Sequence, residues 1–284
     1  MKVNPKMNKV GILYHPLNSS ARALAEELIT FLPTKGVTPW LCSAWEEENA
    51  RCQMNNTELI LSIGGDGTIL RAAQVVIGTD VPITGINLGN LGFMTELKAD
   101  EIKSKLVELL AGHGWLDKRT ILEAELPTES RSSQTYFALN DVVLARGSIV
   151  RMITMEAEID SEHFATYRAD GLILATATGS TGYALAAGGP ILHPQATEFV
   201  MTPILTHLSP SHSLVLPESS TVKLTLKTTI PATLSIDGYI NLPVSEGTLI
   251  TIKRSLHTIS FLRAHPKTSF YVTLEQKLKG KQAV

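Results

Sequence analysis

Residues 62–70, SIGGDGTIL, carry one carboxylate, Asp66, between glycines and between two apolar runs. Glycine amides can approach phosphate oxygens closely, and a helix that begins here adds the positive end of its dipole. A carboxylate beside a phosphate site repels the ligand unless it binds a cation or takes a proton, and both roles belong to phosphoryl transfer. The stretch therefore predicts a phosphoryl-transfer site. A structural turn with a helix-capping aspartate is the alternative.

Two well-known phosphate-binding motifs do not describe this turn. The chain contains no GxxxxGK[ST] sequence, and Gly65 and Gly67 are not followed by the third glycine of GxGxxG. The turn lies between a strand predicted at 59–63 and a helix predicted from about 68 to 77. Open α/β sheets bind ligands at this end of their strands, so the position fits a binding turn of another type.

A second stretch, residues 169–190, reads ADGLILATATGSTGYALAAGGP and combines small side chains with many hydrogen-bond donors. Its hydroxyl groups cluster around glycines, at Thr176, Thr178, Ser180 and Thr181. We expect this stretch to lie against a nucleotide. Beside it, Asp170 can accept hydrogen bonds from ribose hydroxyls, and Arg168 can bind phosphate.

Asn140 and Asp141 form a polar pair in an otherwise apolar strand predicted at 137–144. Polar side chains are costly in such a place without a partner, and these two can bind the edge of an adenine or a ribose. A buried pair satisfied by its own backbone is the alternative.

Other kinds of site are disfavoured. Ser180 does not lie in the GxSxG sequence of a nucleophile elbow. Cys42 and Cys52 have neither CxxC spacing nor a second pair, so we expect no zinc site and no disulfide framework. Three histidines lie loosely together in sequence without metal-ligand spacing, at His193, His207 and His212.

Composition limits the partners. The 284 residues are 44% hydrophobic and 18% charged, and 25 basic against 27 acidic side chains give a net charge of −2. No long run of like charges occurs, so we expect small-molecule ligands and neither nucleic acid nor a membrane as partner. No apolar run approaches the ~18 residues of a membrane span, and the N-terminus lacks a signal-peptide core. We therefore expect a soluble, cytoplasmic protein.

Residues 1–117 are expected to form an open α/β domain with a mainly parallel sheet, because strands and helices alternate. Apolar runs predict strands at 10–14, 59–63 and 81–87. Ser20 and Asp100 are predicted to cap two of the helices. The first of these helices carries an apolar stripe at Ala21, Leu24, Ala25, Leu28 and Leu32.

Residues 118–262 are expected to form a mostly-β domain of the two-sheet sandwich type, since apolar and polar residues alternate in several segments. The alternating apolar positions include Ile153, Met155, Ala157, Val222, Leu224 and Leu226. Turn signals recur at 160–162, 236–239 and 245–247. Residues 269–279 return to helical spacing, and the C-terminal segment 263–284 is expected to pack back on the first domain.

Three motifs occur in one order along the chain: GGDGT at 64–68, ND at 140–141 and TATGSTGYALAAGGP at 176–190. Together they resemble the NAD kinase family, whose members phosphorylate the adenosine ribose 2′-hydroxyl of NAD to give NADP. GGDGT turns also occur in lipid kinases and phosphofructokinases, and the other two motifs are more specific. The likeness includes GINLG at 85–89, LGFM at 91–94 and SIDG at 235–238.

The resemblance implies roles for individual residues. Asp66 would be the general base that removes the 2′-hydroxyl proton, and Asn140 and Asp141 would contact the nucleotide. Further contacts with NAD would come from Gly67, Arg71, Arg151, Arg168, Asp170, Thr181, Gly182, Tyr183, Ala184, Leu185 and Ala186. Donor phosphates would contact Gly64, Gly65, Gly67, Thr68 and Asn87.

The resemblance also implies a phosphoryl donor, ATP or inorganic polyphosphate, and a divalent cation, Mg²⁺, without a fixed protein site. A homodimer or homotetramer is expected. The chain departs from the family pattern at Ala177, Gly182, Ala184, Ala186, His212 and Tyr239, which leaves fine substrate preference open. The preference between NAD and NADH is open as well. Two alternatives remain: a lipid kinase of the diacylglycerol or sphingosine type, and a non-catalytic NAD(P)-binding sensor.

Overall fold

The computed structural model describes residues 7–89, 92–127, 133–149, 151–267, 270–272 and 274–275. Leu91 of the LGFM stretch and most of the predicted C-terminal segment lie outside the described residues. The chain divides into two units, one of residues 1–118 with 259–284, and one of residues 119–258. We call the first the α/β unit and the second the β unit.

The α/β unit alternates strands with helices. Its elements are β1 (Lys9–Tyr14), α1 (Ser19–Phe31), β2 (Thr38–Ser43), α2 (Glu47–Gln53), β3 (Leu59–Ile63), α3 (Asp66–Val76), β4 (Ile83–Asn87), β5 (Leu97–Lys98) and α4 (Ile102–Leu110). The strands pair in the order β5-β4-β3-β1-β2, and every one of these pairs is parallel. All residues of β3 and β4 are buried, as in a parallel sheet covered on both faces. The predicted α/β fold with a mainly parallel sheet is confirmed.

Two helix caps differ from the predicted ones. The side-chain oxygen of Asn18 caps α1 by accepting a hydrogen bond from the N–H of Ala21 at 3.1 Å, and Ser20 lies inside the first turn. Glu101, not Asp100, stands at the cap position of α4. Asn18 and Ser20 are both good capping residues, so residue type alone does not choose between them. Glu101 is a poorer capping residue than Asp100, and its side chain makes no capping hydrogen bond. The predicted apolar stripe is buried at Ala21, Leu24, Ala25, Leu28 and Leu32.

The β unit consists almost wholly of strands. Its elements are β6 (Trp115–Pro127), β7 (Ser133–Ala138), β8 (Asp141–Arg146), β9 (Ile153–Ile159), β10 (Glu162–Ala175), α5 (Tyr183–Ala186), β11 (Phe199–Thr206), β12 (Leu214–Leu216), β13 (Thr221–Leu226), β14 (Ala232–Ile236), β15 (Ile240–Val244) and β16 (Leu249–Arg263). The first residues of β6 and the last of β16 belong to the α/β unit. The predicted mostly-β architecture is confirmed.

Seven strands of the β unit are hydrogen-bonded along one path, from which β6 with β7 and β11 with β12 branch off. It runs β15-β14-β8-β10-β9-β13-β16, with every pair antiparallel. The long strand β10 pairs with β9 through its first part and with β8 from Gly171 onward, so one continuous hydrogen-bonded path passes through β10. The alternating apolar residues of β9 and β13 lie in one core, as predicted.

Candidate active site

Helix α3 begins at Asp66, immediately after the glycine turn. The start predicted near residue 68 is wrong: Gly65 is the N-cap residue, and Asp66 and Gly67 form the first helical turn. N–H groups at a helix start have no partner within the helix, so glycine is tolerated there. Gly65 and Gly67 are exposed, and no described atom lies within 4 Å of the place where a Cβ would stand on either. This helix start is therefore open to a ligand, as phosphate binding requires.

The carboxylate of Asp66 lies beside the segment that follows β4. Its oxygens accept hydrogen bonds from the N–H groups of Phe93 at 2.9 Å and Met94 at 3.1 Å. Gly92 permits this approach, because a Cβ on it would stand 2.1 Å from Oδ1 of Asp66. Asp66 does not cap helix α3, so the alternative of a capping aspartate is wrong. The partly buried carboxylate is instead held in one orientation, which suits a general base.

Two residues predicted to bind donor phosphate are buried at the same edge of the sheet. The hydroxyl of Thr68 has no hydrogen-bond partner in the described part of the chain. Asn87 ends β4, and its side-chain oxygen accepts a hydrogen bond from the N–H of Gly89 at 3.1 Å. A buried hydroxyl without a partner is costly, so Thr68 marks a place where a ligand can supply one.

Arg71 of helix α3 is held against an aromatic side chain. Its guanidinium carbon lies 4.2 Å from the ring centroid of Trp45, and the Trp45 ring meets that of His15 edge-on at 4.6 Å. His15 and Trp45 follow β1 and β2, and the N–H of His15 donates to the carbonyl of Ile63 at 3.0 Å. The cation is therefore fixed at the edge of the sheet that carries the glycine turn. Nothing in the sequence identified His15 or Trp45 as part of this edge.

In the β unit, Asn140 lies in a bend, and the single strand predicted at 137–144 is wrong. Strand β7 ends at Ala138 and β8 begins at Asp141. The buried carboxylate of Asp237 accepts hydrogen bonds from the N–H groups of Leu139 at 2.9 Å, Asn140 at 2.7 Å and Asp141 at 3.2 Å. The chain leaves the strand here because these N–H groups bind a side chain in place of a neighbouring strand.

The loop after β10 packs on the same bend. The N–H of Thr176 donates to the carbonyl of Asn140 at 2.8 Å, and the Thr176 hydroxyl donates to the carbonyl of Leu139 at 2.6 Å. A Cβ on Gly179 would stand 2.0 Å from the carbonyl oxygen of Asn140, so this close approach requires glycine. Asp237 and this loop together fix the backbone of the Asn140–Asp141 pair.

The clustered hydroxyl groups of this loop bind the protein itself. The Ser180 hydroxyl accepts the N–H of Leu192 at 3.0 Å, and the Thr178 hydroxyl accepts a hydrogen bond from Arg119 at 3.1 Å. Thr176, Thr178 and Ser180 are all buried. These three hydroxyls shape the loop, and the contact of the loop with a nucleotide stays a prediction.

The side chains of Asn140 and Asp141 remain available to a ligand. The side-chain oxygen of Asn140 is buried and has no partner in the described chain, so the pair is not satisfied by its own backbone. Burial raises the pKa of Asp141 to about 7, and the neighbouring Asp237 contributes in the same direction. Near neutral pH the Asp141 carboxyl is therefore present both as a donor and as an acceptor.

A cavity of about 660 Å³ opens beside this pair, a size typical of small-molecule sites. Its walls, all within the β unit, include Asn140, Asp141, Arg146, Tyr183, Ser235 and Asn241. The pattern of residue types did not mark Arg146 or Asn241. Ser235 belongs to the SIDG stretch, which carried the family resemblance without an assigned role.

Other predicted NAD contacts lie around this region without lining the cavity. The carboxylate of Asp170 pairs with Arg146 at 3.0 Å, and Arg146 lines the cavity. Arg151 and Arg168 are exposed, and Ala184 is buried. The remaining loop positions are exposed or half-buried, at Thr181, Gly182, Leu185 and Ala186.

No group of three or more His, Cys, Asp or Glu side chains in the described ranges could hold a metal ion. None of the described helices is long and apolar enough to cross a membrane.

Comparison with known proteins places these features in a family. The model of the ATP-NAD kinase N-terminal domain matches residues 33–114, and that of the ATP-NAD kinase C-terminal domain matches residues 139–264. An NAD kinase from Dehalococcoides mccartyi is 49% identical over 96% of this chain and 96% of its own length.

Solved structures show the same fold. Yeast NADH kinase complexed with NADH superposes with a TM-score of 0.88 at 28% identity, covering 99% of this chain and 90% of the yeast chain. An Archaeoglobus fulgidus NAD kinase in complex with ATP shares the fold with a TM-score of 0.76 at 23% identity, covering 95% of this chain and 98% of its own. With the GGDGT turn, the Asn-Asp pair and both family models in agreement, this chain belongs to the ATP-NAD kinase family.

Proposed function

We propose that this protein transfers the γ-phosphoryl group of ATP to the 2′-hydroxyl of the adenosine ribose of NAD, giving NADP and ADP. One observation carries the chemistry: the Asp66 carboxylate is held by the N–H groups of Phe93 and Met94 at the start of helix α3. Membership of the ATP-NAD kinase family supports the choice of substrates.

Asp66 takes the proton of the 2′-hydroxyl as the hydroxyl oxygen attacks the γ-phosphorus. One oxygen–phosphorus bond forms, and the bond between the γ-phosphorus and the bridging oxygen breaks, so that ADP leaves with the electron pair. The carboxylate is oriented before the substrate arrives, which lowers the entropic cost of the step. A positioned general base typically accelerates such a step by ~10² to 10⁴.

The donor phosphates bind at the glycine turn. Backbone N–H groups of Gly65 and Gly67 and the positive end of helix α3 face the phosphate oxygens. The N–H of the buried Gly64 donates to the carbonyl of Ile86 at 2.9 Å, so Gly64 shapes the turn and offers no N–H to the donor. The partnerless hydroxyl of Thr68 and the amide of Asn87 add side-chain donors, and the burial of both residues supports this assignment.

A divalent cation, Mg²⁺, accompanies the donor. The phosphate oxygens of the donor and water would hold this cation, as is usual for Mg²⁺ at phosphate sites. When bound, it would neutralise phosphate charge, while the residues of the glycine turn orient the phosphates.

The adenosine part of NAD binds at the cavity of the β unit. The buried side-chain oxygen of Asn140 accepts a hydrogen bond from the adenine amino group, and the carboxyl of Asp141 binds a ribose hydroxyl. Tyr183 offers a half-exposed ring at the cavity wall. The other proposed NAD contacts are Gly67, Arg71, Arg151, Arg168, Asp170, Thr181, Gly182, Ala184, Leu185 and Ala186.

The proposal extends to the setting of the reaction. Inorganic polyphosphate is a second candidate donor, and the kinship with yeast NADH kinase makes NADH a second candidate acceptor. A cytoplasmic homodimer or homotetramer, expected from the family resemblance, belongs to the same proposal. A lipid kinase and a non-catalytic sensor are not favoured, because the matched relatives and family models are NAD kinases.

The test is to incubate purified protein with NAD, ATP and Mg²⁺ and to follow NADP with an NADP-specific dehydrogenase. We expect turnover that falls by ~10² to 10⁴ in Asp66→Asn, since the amide retains the shape but not the basicity of the carboxylate. Asp80→Asn, at an exposed aspartate beyond the end of α3, is the matched control and should keep wild-type turnover. Absence of turnover with every combination of ATP or polyphosphate as donor and NAD or NADH as acceptor would contradict the proposed kinase activity.

A further inference from the structure

A buried arginine lies at the end of β16, in the α/β unit. The guanidinium of Arg263 pairs with Asp117 at 3.1 Å and with Glu96 at 3.3 Å, and all three side chains are less than a tenth exposed. A buried cation is costly unless it is paired and hydrogen-bonded, so the two carboxylates fix the guanidinium in one position.

Arg263 also binds the backbone of the segment that holds Asp66. Its Nη1 donates to the carbonyl oxygen of Met94 at 2.9 Å, while the N–H of Met94 donates to the Asp66 carboxylate at 3.1 Å. Met94 thus connects the two groups: its carbonyl oxygen accepts a hydrogen bond from Arg263, and its N–H donates to the Asp66 carboxylate.

The same segment is braced at two further points. The N–H of Gly92 donates to the hydroxyl of Thr95 at 2.8 Å, which closes the turn that presents the Phe93 and Met94 amides. Oε1 of Glu96 accepts the N–H groups of Ala264 at 2.8 Å and His265 at 2.7 Å. Residues 92–96 are therefore tied to the chain around Arg263, and we call them the Asp66 brace.

The hydrogen bonds of Arg263 include more than the contacts of a stabilising ion pair. Two carboxylates already neutralise Arg263, and its third bond is directed to the backbone of the segment whose N–H groups touch Asp66. A displacement of this segment would move both donors and therefore turn the carboxylate. Misplacement of a catalytic group by about 1 Å costs ~100-fold in rate.

We propose that Arg263 and Thr95 are positioning residues, which hold the Asp66 brace so that the carboxylate points at the acceptor hydroxyl. This inference rests on the proposed function, in which Asp66 takes the proton. Neither residue touches a substrate in this role, so their loss should lower kcat and leave the KM values for NAD and ATP unchanged.

The experiment compares matched pairs of variants in the steady-state assay. Thr95→Val removes the hydroxyl at nearly constant volume, and Thr95→Ser retains it. Arg263→Met removes the bond to the Met94 carbonyl, and Arg263→Lys keeps a cation. We expect kcat to fall about tenfold to a hundredfold in Thr95→Val and Arg263→Met, with both KM values within about twofold, and the conservative partners to recover part of the loss.

A double-mutant cycle separates positioning from simple structural damage. In an Asp66→Asn background Thr95→Val should cost little more in kcat, because the group through which it acts is already gone. Arg254→Lys changes an arginine that pairs with Glu218 in the β unit, and it should leave kcat at the wild-type value. Near-UV circular dichroism establishes that each variant is folded.

Each outcome decides the inference. Folded Thr95→Val with wild-type kcat would overturn it, as would an equal loss of kcat with and without Asp66→Asn. If the Arg263 variants do not fold, the Thr95 pair decides alone. Wild-type protein without NAD kinase turnover would overturn the proposed function, whereas active wild type with insensitive Thr95 and Arg263 variants would overturn only the positioning.

Discussion

Asp237 accepts the backbone N–H of Asp141 at 3.2 Å while its charge helps to raise the pKa of the Asp141 carboxyl to about 7. Three backbone N–H groups donate to the Asp237 carboxylate, whereas burial is the main cause of the raised pKa of Asp141. The two acids therefore have different roles: Asp237 stabilises the bend, and Asp141 presents a carboxyl that changes its protonation near neutral pH.

The first prediction concerns the pH dependence of stability. The pKa of Asp141 rises from 3.8 to about 7 on folding, so the folded protein holds this proton between those values while the unfolded chain has released it. The contribution to the free energy of unfolding is full below about pH 4 and is lost as the pH rises through about 7. Each pKa unit corresponds to ~1.4 kcal/mol, so the loss amounts to a few kcal/mol.

Asp141→Asn carries no charge at any pH and should remove this loss. Urea unfolding at pH 5 and pH 8 measures the free energy of unfolding of both proteins. The value for Asp141→Asn, relative to wild type, should be larger at pH 8 than at pH 5. An equal difference at both pH values would contradict the assignment of the proton to Asp141.

The second prediction tests whether Asp237 supports NAD binding through the bend at residues 139–141, beyond its effect on the stability of the protein. Asp237→Asn weakens the set of bonds to the N–H groups of residues 139–141, so we expect a loss of ~1 to 3 kcal/mol in the free energy of unfolding and a higher KM for NAD. Asp160→Asn is the matched control, because Asp160 and Asp237 both have a positive φ and both accept backbone N–H groups. The carboxylate of Asp160 accepts the N–H of Thr221 at 2.8 Å. This control variant should lose stability without a change in KM, and a KM that rises equally in both variants would argue against a specific role for Asp237.

Residue types indicated the parts of the proposed site that would carry chemistry. Asp66 among glycines and Asn140–Asp141 in an apolar context are unusual combinations, and their cost without a ligand is visible in the sequence alone. Periodicity likewise predicted the α/β and mostly-β halves, since burial on one face of a helix or strand repeats at a fixed interval.

Contacts between distant positions were not predictable in this way. Nothing near residue 140 reveals that Asp237 binds its backbone, and nothing near Asp66 reveals Gly92 or Arg263. The bonds of the hydroxyls around Ser180 to the protein itself were missed for the same reason, because a buried backbone acceptor and a ligand both attract a hydroxyl donor.

The third prediction tests the approach of Asp66 to its brace. A Cβ on Gly92 would stand 2.1 Å from the carboxylate, so Gly92→Ala must displace Asp66 and should lower kcat about tenfold or more. Gly89→Ala is the control in the same connection, since no described atom lies within 4 Å of its Cβ position. Steady-state kinetics on both variants decides: equal kcat in Gly92→Ala and wild type would show that the placement of Asp66 does not limit the reaction.

The fourth prediction concerns how adenine is recognised. If the buried side-chain oxygen of Asn140 accepts the adenine amino group, nicotinamide hypoxanthine dinucleotide, which has a carbonyl there, places two acceptors against each other. A site built around such a bond rejects the mismatched analogue strongly, so wild type should prefer NAD by about 100-fold or more in kcat/KM. Asn140→Ala should use both dinucleotides poorly and almost equally, with the KM for ATP unchanged. A variant that still prefers NAD by the wild-type factor would show that another group reads the base.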